Sequence, residues 1–463
     1  MLPQSKLLKN FSIYALGAVI ARLITASGTL ATVTILTPAQ FGLLALFNSC
    51  LVMVPALLNL GLRQVFGLEF FHLPDRAARL KLLNELLLLY LLLTLPILLI
   101  SLGHLNWLNQ ALFLNQTTEF TIALVLVSCW LSWFNELFYQ LLRYQQRAHL
   151  LTTLQLASAG LTAGLTWSLV FRLNWGVLGC VSANLAGLSL GCGYAAYRYY
   201  RTVQQQRLVN SNSTMLPSGP PSRAKLSTLI WARRSLPARR LMTLTPQQAA
   251  NYLKLGAPYV LSTLCAWVLA TSDRWLLARW GNLELVGIYA LADSFGQLFN
   301  LAILNPVAYS YVPHLLSRFS AQRHAPAQLQ QLNHQNFRYM YLAMGGLLLL
   351  TLVGFSLLKP LFYWLAPLKY QTAINYVPLI LTGQICLLGT YFATGWLQFR
   401  KQVYLQVGLT IGAAVVNVLL NLLLTPRWQL YGCTLATALA YALYLWAAIY
   451  VTQRQINKLD QTN

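Results

Sequence analysis

Runs of about twenty apolar residues recur along this chain, and they leave it few folds. Each run is long enough to cross a hydrocarbon core about 30 Å thick as a helix, the form that satisfies its own backbone hydrogen bonds in lipid. Twelve such spans are expected, near residues 11–35, 41–61, 82–102, 119–142, 150–171, 176–197, 255–279, 285–309, 338–358, 372–396, 402–424 and 429–452. With 57% hydrophobic and 9% charged residues, the chain carries far less charge than the quarter or so of a soluble domain. The reading is an all-α, polytopic membrane protein with about 12 transmembrane helices. Lys6 and Lys9 precede a first apolar stretch longer than a signal-peptide core, so that stretch is expected to stay as the first membrane helix.

Basic residues divide unevenly between the two faces. If the N-terminus is cytoplasmic and the spans alternate, 25 of the 32 Lys and Arg fall on the cytoplasmic side and five opposite, with Arg22 and Arg274 inside the membrane. This is the positive-inside pattern, and it places both termini in the cytoplasm. It also accounts for the net charge of +23 through short loops at one face, so nucleic acid is not an expected partner.

The longest polar stretch, 200–248, is rich in Ser, Pro, Gly and Arg and cannot bury a core. It reads as a mostly disordered basic cytoplasmic linker, with "AKLSTLIWARRSL" either solvated or lying on the membrane as a short amphipathic helix. The expected division is therefore an N-terminal six-helix lobe over 1–199, the linker over 200–248 and a C-terminal six-helix lobe over 249–463. Internal similarity supports two lobes. "FGLLALFNS" (41–49) aligns on "VGIYALADS" (286–294), and "WGVLGCVSA" (175–183) on "WQLYGCTLA" (428–436). Gly160-x-x-x-Gly164 is answered by Gly408-x-x-x-Gly412, small-residue pairs at the spacing of close helix contacts. A repeat of six spans keeps the same orientation, which implies a cavity between two bundles and alternating access by rocking.

Charges within the spans are costly and mark candidate sites. Arg22 begins a stripe with Thr25, Thr29 and Thr32 on one helical face, which suits either a wet cavity or an Arg tied to carbonyls or a carboxylate. Glu136 shares a face with Trp133, Gln140 and Arg143, and Arg63 ends the second span, where an entering anion would meet it. Asp273 and Arg274 stand about 100° apart around their helix, so they are expected to address different neighbours. Arg274 either lines the cavity or pairs with Asp293, and Asp273, Asp293 and Glu136 are candidates for taking up H⁺ or Na⁺. Asn417 and Asn421, at i and i+4, suit sugar hydrogen bonding or helix-to-helix bonding. Asn59 and Gln384 belong to the same polar lining. The seven cysteines read as packing residues, and His314, His324 and His334 read as loop residues without ligand spacing, so no metal site is expected. No P-loop, HExxH or GxSxG motif appears in a soluble segment, and no enzymatic activity or cofactor is expected.

"LTPAQFGLLAL", "NLGLRQ", "TSDRWLLARWGNLELVGIYALADSF" and "NVLLNLLLTPRWQLYGCTLATALAY" occur in this order along nearly the whole chain. Together they resemble the polysaccharide transporters of the MOP superfamily, the Wzx-type O-antigen and lipid-linked oligosaccharide flippases. The resemblance implies two lobes around a V-shaped, cationic central cavity in the bacterial inner membrane. It implies a substrate, undecaprenyl-pyrophosphate-linked saccharide, carried to the outer leaflet for lipopolysaccharide O-antigen, capsule or exopolysaccharide biosynthesis. Polysaccharide polymerase, glycosyltransferases and membrane lipids are the implied partners. Arg22 occupies the kind of position where related lipid II flippases carry an essential arginine. On this reading Arg22, Thr25, Thr29, Arg63, Arg274 and Asn417 bind substrate. The alternative is a cation-coupled multidrug antiporter of the same superfamily, for which an acidic cavity without arginines would be expected.

Overall fold

A computed structural model describes the chain from Gly17 to Asp460, except residues 18, 19, 22, 26, 30, 31, 71, 72, 74, 75, 114, 146, 215–243 and 323–325. Every regular element among the described residues is helical. The early helices are α1 (Leu23–Ile35), α2 (Pro38–Leu58), α3 (Leu62–Phe70), α4 (Arg76–Gly103), α5 (Leu105–Phe113), α6 (Glu119–Tyr144), α7 (Ala148–Thr166) and α8 (Gly176–Thr214). Then come α9 (Pro246–Trp280), α10 (Leu283–Phe299), α11 (Val312–Ala321), α12 (Pro326–Leu365), α13 (Val377–Phe399) and α14 (Val403–Asp460). Ten of the described segments are long and apolar enough to cross a membrane. The last of them, Tyr404–Asn457, is two helices joined at Gln429, whose φ of 47° breaks the helical path.

Local chemistry explains where helices begin and break. Thr37 and Gln40 cap α2 reciprocally: each donates its backbone N–H to the other's side-chain oxygen, at 3.1 and 3.2 Å. Thr245 and Gln248 repeat this arrangement before α9, and in both helices Pro, which has no N–H to lose, follows the Thr. Asn282 caps α10 through the N–H of Leu285, with Glu284 in the first turn where the helix dipole favours an anion. After α10 the chain continues through wide helical turns at Asn300–Leu304 and Val307–Tyr311, on either side of Pro306, before α11 begins. A proline that cannot donate its i−4 bond is the ordinary cause of such a disruption.

The internal repeat is visible in the backbone. Gly176 and Gln429, each following the tryptophan of an aligned segment, both take left-handed φ values, 54° and 47°. The repeated glycines Gly42 and Gly287 meet. A Cβ on Gly42 would strike the Leu283 carbonyl, and one on Gly287 would strike that of Pro38. The GxxxG pairs behave otherwise: among the described residues nothing stands within 4 Å of a Cβ placed on Gly160, Gly164, Gly408 or Gly412, so the close packing expected of them is not seen there.

Two compact units divide the chain. One comprises Met1–Ala31 and Cys50–Leu261, the other Thr32–Ser49 and Ser262–Asn463. They are not simple sequence halves, because α2 and α9 each begin in one unit and end in the other. In addition, α8 runs on to Thr214, well into the stretch expected to be linker, while the "AKLSTLIWARRSL" segment lies outside the described residues.

The first unit is packed around an aromatic stack. Tyr90 of α4 lies parallel to Trp133 of α6 at 3.7 Å between ring centroids, and Trp133 donates to Asn59 at 2.8 Å. A buried indole N–H is thereby satisfied inside an otherwise apolar cluster of Leu62, Phe66, Leu86 and Leu137. In the second unit, Phe299, Phe337, Met340, Leu388 and Phe392 form the corresponding core. Asn336 stitches it by accepting from Tyr311 at 2.8 Å and donating to the Phe392 carbonyl at 3.0 Å. Burial holds the Tyr311 phenol up at about 12, so it stays a donor. All seven cysteines are free, and five are buried. His314 and His334 stand on α11 and α12 rather than in loops, and His324 lies outside the described residues.

Candidate functional site

Two groups of charged side chains stand out, one in each unit. In the first, Arg63 on α3 donates to Glu136 on α6 at 3.0 Å, and Arg143, two turns further along α6, approaches the same oxygen at 3.9 Å. All three side chains are exposed, at 39%, 50% and 51%, so the pairing is weak and adaptable. Two guanidiniums share one carboxylate, which leaves the group cationic. The backbone that carries Arg63 is braced from below. Asn59 accepts the Arg63 N–H at 3.0 Å and holds Gln64 with its amide at 2.8 Å, while Gln140 donates to the Arg63 carbonyl at 3.2 Å. Asn59, expected in the polar lining, is buried as part of this brace.

The second group is buried. Arg274 pairs with Asp293 of α10 at 2.5 Å, with the two side chains 7% and 14% exposed. Asp273 accepts from the Tyr289 hydroxyl, also on α10, and from the Arg274 N–H at 2.8 Å. The expectation that Asp273 and Arg274 address different neighbours is therefore corrected. Tyr289 and Asp293 sit one turn apart on a single helix and receive them both. The long arginine and the long tyrosine close the 100° between the two positions.

Beside these groups is a cavity of about 20 Å³, lined by Asp273, Tyr289, Asp293, Gln384, Thr437 and Tyr441 among others. It has room for about one water-sized group. Among the described residues, buried Gln384 has no partner for its carbonyl oxygen, a polar atom whose burial is costly unless something else satisfies it. One turn back from Asp273, Tyr441 donates to the Leu269 carbonyl at 3.2 Å, and both residues line the cavity.

The other expected site residues are distributed as follows. Arg22 lies outside the described residues. Thr25 is half-buried and Thr29 exposed on α1, with the Thr29 hydroxyl donated back to the Thr25 carbonyl at 3.1 Å. Asn417 is buried in the second unit, where Ser272 donates to it at 3.2 Å and Asn421 bonds its carbonyl at 3.0 Å. The structure thus uses Asn417 to join α14 to α9, the helix-to-helix role. Sequence reasoning passed over Glu85, which is 3% exposed on α4. It accepts from Tyr252 at 2.6 Å and Gln248 at 3.3 Å on α9, with Lys81 at 3.5 Å. The signal was present, as one acid inside the apolar run "LLNELLLLY".

No protein-family profile matches the sequence, and no curated protein matches it by sequence. Solved structures do match the fold. An inward-facing conformation of a multidrug resistance MATE family transporter of the MOP superfamily aligns with a TM-score of 0.70 at 14% identity, over 95% of this chain and 96% of that one. The chain has the MOP-superfamily transporter fold. With ten described segments long and apolar enough to cross a membrane, it is a multi-pass membrane protein. The lipid II flippase MurJ, in an inward closed conformation, aligns with a TM-score of 0.65 at 12% identity, over 95% of this chain and 87% of that one. A MOP superfamily transporter from Pyrococcus furiosus, described as having a binding pocket of reverse polarity that suggests a different function, aligns at 0.52 and 14% identity over 97% and 94%. These neighbours are transporters and a flippase, and what the MOP fold carries differs among them.

Proposed function

We propose that this protein is a flippase that moves polyprenyl-pyrophosphate-linked oligosaccharide from the cytoplasmic to the outer leaflet of a bacterial inner membrane by alternating access, for surface polysaccharide assembly. The observation that carries this reading is the Arg63–Glu136–Arg143 group, half-exposed and cationic by one charge. Pyrophosphate needs such a site, because paired guanidiniums give charge-assisted, forked hydrogen bonds to phosphate oxygens. An organic-cation antiporter would be opposed by it. Arg22 is the second proposed phosphate ligand, with Thr25 and Thr29 toward the sugar. The basic bias of alternate loops supports cytoplasmic termini.

The buried Asp273 and Asp293 in the second unit supply the proposed coupling site for H⁺ or Na⁺. Their small cavity, with the unsatisfied Gln384 oxygen beside it, supports this role. Loading and unloading of such a site would bias the return of the empty transporter.

Binding to the purified protein tests the substrate class. A polyprenyl-pyrophosphoryl saccharide should bind at least tenfold more tightly than an organic cation of similar size. Tighter binding of the cation would favour the multidrug reading. In cells, Arg22→Ala or Arg22→Glu at normal protein level should abolish surface glycan, and full activity of both variants would sink the role of Arg22.

A further inference from the structure

A groove of about 1030 Å³ runs between α4, α6 and α8, entirely within the first unit and apart from the Arg63 group. Its walls are graded. Leu87, Leu88, Leu91, Trp130, Leu131 and Phe134 make one end wholly apolar, whereas Arg79, Gln145, Arg147 and Arg198 stand at the other. These arginines belong to the start of α4, the turn after α6 and the late part of α8, so alternation of the helices puts them at one membrane face. From Leu80 to Leu91 the wall extends about 17 Å at the helical rise, close to half of a hydrocarbon core about 30 Å thick. The groove therefore has the depth of one leaflet, apolar where acyl chains lie and cationic where headgroups lie.

The space is a half-open groove, reachable from outside the helices that form it. Among the described residues no carboxylate pairs with Arg79 or Arg147. Arg79 gives only its Nε to the Leu73 carbonyl, at 2.9 Å, and lies over the Phe70 ring. The acid on this stretch of α4, Glu85, is bonded to Tyr252 instead.

We propose that this groove is a binding site for an anionic phospholipid of the surrounding bilayer, one acyl chain lying along Leu80–Leu91 and the phosphate held by Arg79 and Arg147. The bulk bilayer supplies the ligand, so the site is separate from substrate binding and does not rest on the substrate proposed above. The charge complementarity decides for an anionic headgroup over a zwitterionic one, since a phosphate without a tethered ammonium leaves both guanidiniums satisfied.

The test is native mass spectrometry of the full-length, delipidated protein titrated with phosphatidylglycerol or phosphatidylcholine. Wild type should retain phosphatidylglycerol at least tenfold better. Arg147→Gln with Arg79→Gln should bring the two lipids to within about twofold, while Arg147→Lys keeps most of the preference. Ala195→Trp, which fills the groove, should lower retention of both. Should that variant prove unstable, the glutamine pair alone decides. Equal retention of both lipids by wild type, or an unchanged preference in the glutamine pair, would overturn the proposal. Displacement of phosphatidylglycerol by an equal concentration of polyprenyl phosphate would also overturn it, assigning the groove to the isoprenoid instead.

Discussion

Gly42 and Gly287, equivalent residues of the internal repeat, lie against one another, each occupying the space where the other's helix comes closest. The contact is reciprocal, since Gly42 faces the Leu283 carbonyl and Gly287 that of Pro38, four residues before each glycine. A self-complementary contact of this kind is what a two-fold relationship between duplicated segments produces. Neither helix can yield, because the opposing atoms are backbone. Gly42→Val or Gly287→Val should therefore cost about 3 kcal/mol through overpacking, seen as a lowered Tm and poor recovery of the purified protein.

The GxxxG glycines should behave oppositely. Gly160→Ala and Gly412→Ala add a methyl group where no described residue stands within 4 Å, on a helix in which alanine is preferred by up to about 1 kcal/mol. Thermal unfolding in detergent should show an unchanged or raised Tm. A fall comparable to that of Gly42→Val would mean that these faces pack against something.

Breaking the buried pair should be worse than removing it. Arg274→Met or Asp293→Leu alone leaves a charge stranded in the interior, at a cost of about 3–5 kcal/mol, while the double variant should recover most of that loss. A double-mutant cycle on unfolding measures this. Additive losses would show that the two charges do not depend on one another.

For the exposed group the effect should appear in binding rather than stability. Glu136→Gln frees both Arg63 and Arg143, and removing so exposed a pair should shift stability by about 1 kcal/mol or less. Affinity for a pyrophosphoryl lipid should rise severalfold in Glu136→Gln and fall in Arg63→Gln, and both differences should shrink as salt is added. Opposite signs in a binding titration would remove the group from substrate recognition.

Asp273→Asn keeps an acceptor for Tyr289 but loses the charge. If Asp273 takes part in coupling, uptake into proteoliposomes should lose its response to proton or sodium gradients with little change in Tm. A retained response would place coupling elsewhere.

Hydropathy and length alone determined that this chain crosses a membrane many times as helices, because each apolar run must satisfy its own backbone in lipid. The paired "FGLLALFNS" and "WGVLGC" segments likewise announced the repeat, since duplicated turns keep their tryptophans and glycines. Caps such as Thr37 with Gln40 went unmarked, although they are bonds over only three residues. Partnerships between helices were not legible in the sequence. The 100° between Asp273 and Arg274 suggested two neighbours, yet α10 receives both, because side-chain reach and the rotation of the neighbouring helix are set by packing and not by the periodicity of α9 alone. Asn417 could have faced a sugar or a helix, and only its distance to Ser272 chose. Glu85 went unremarked in the sequence, and only the fold sets Tyr252, far away in the chain, 2.6 Å from it. The spacing of Gly160 and Gly164 promised a close contact that none of the described residues makes at those two positions, since spacing prepares a surface and only the fold brings a partner to it.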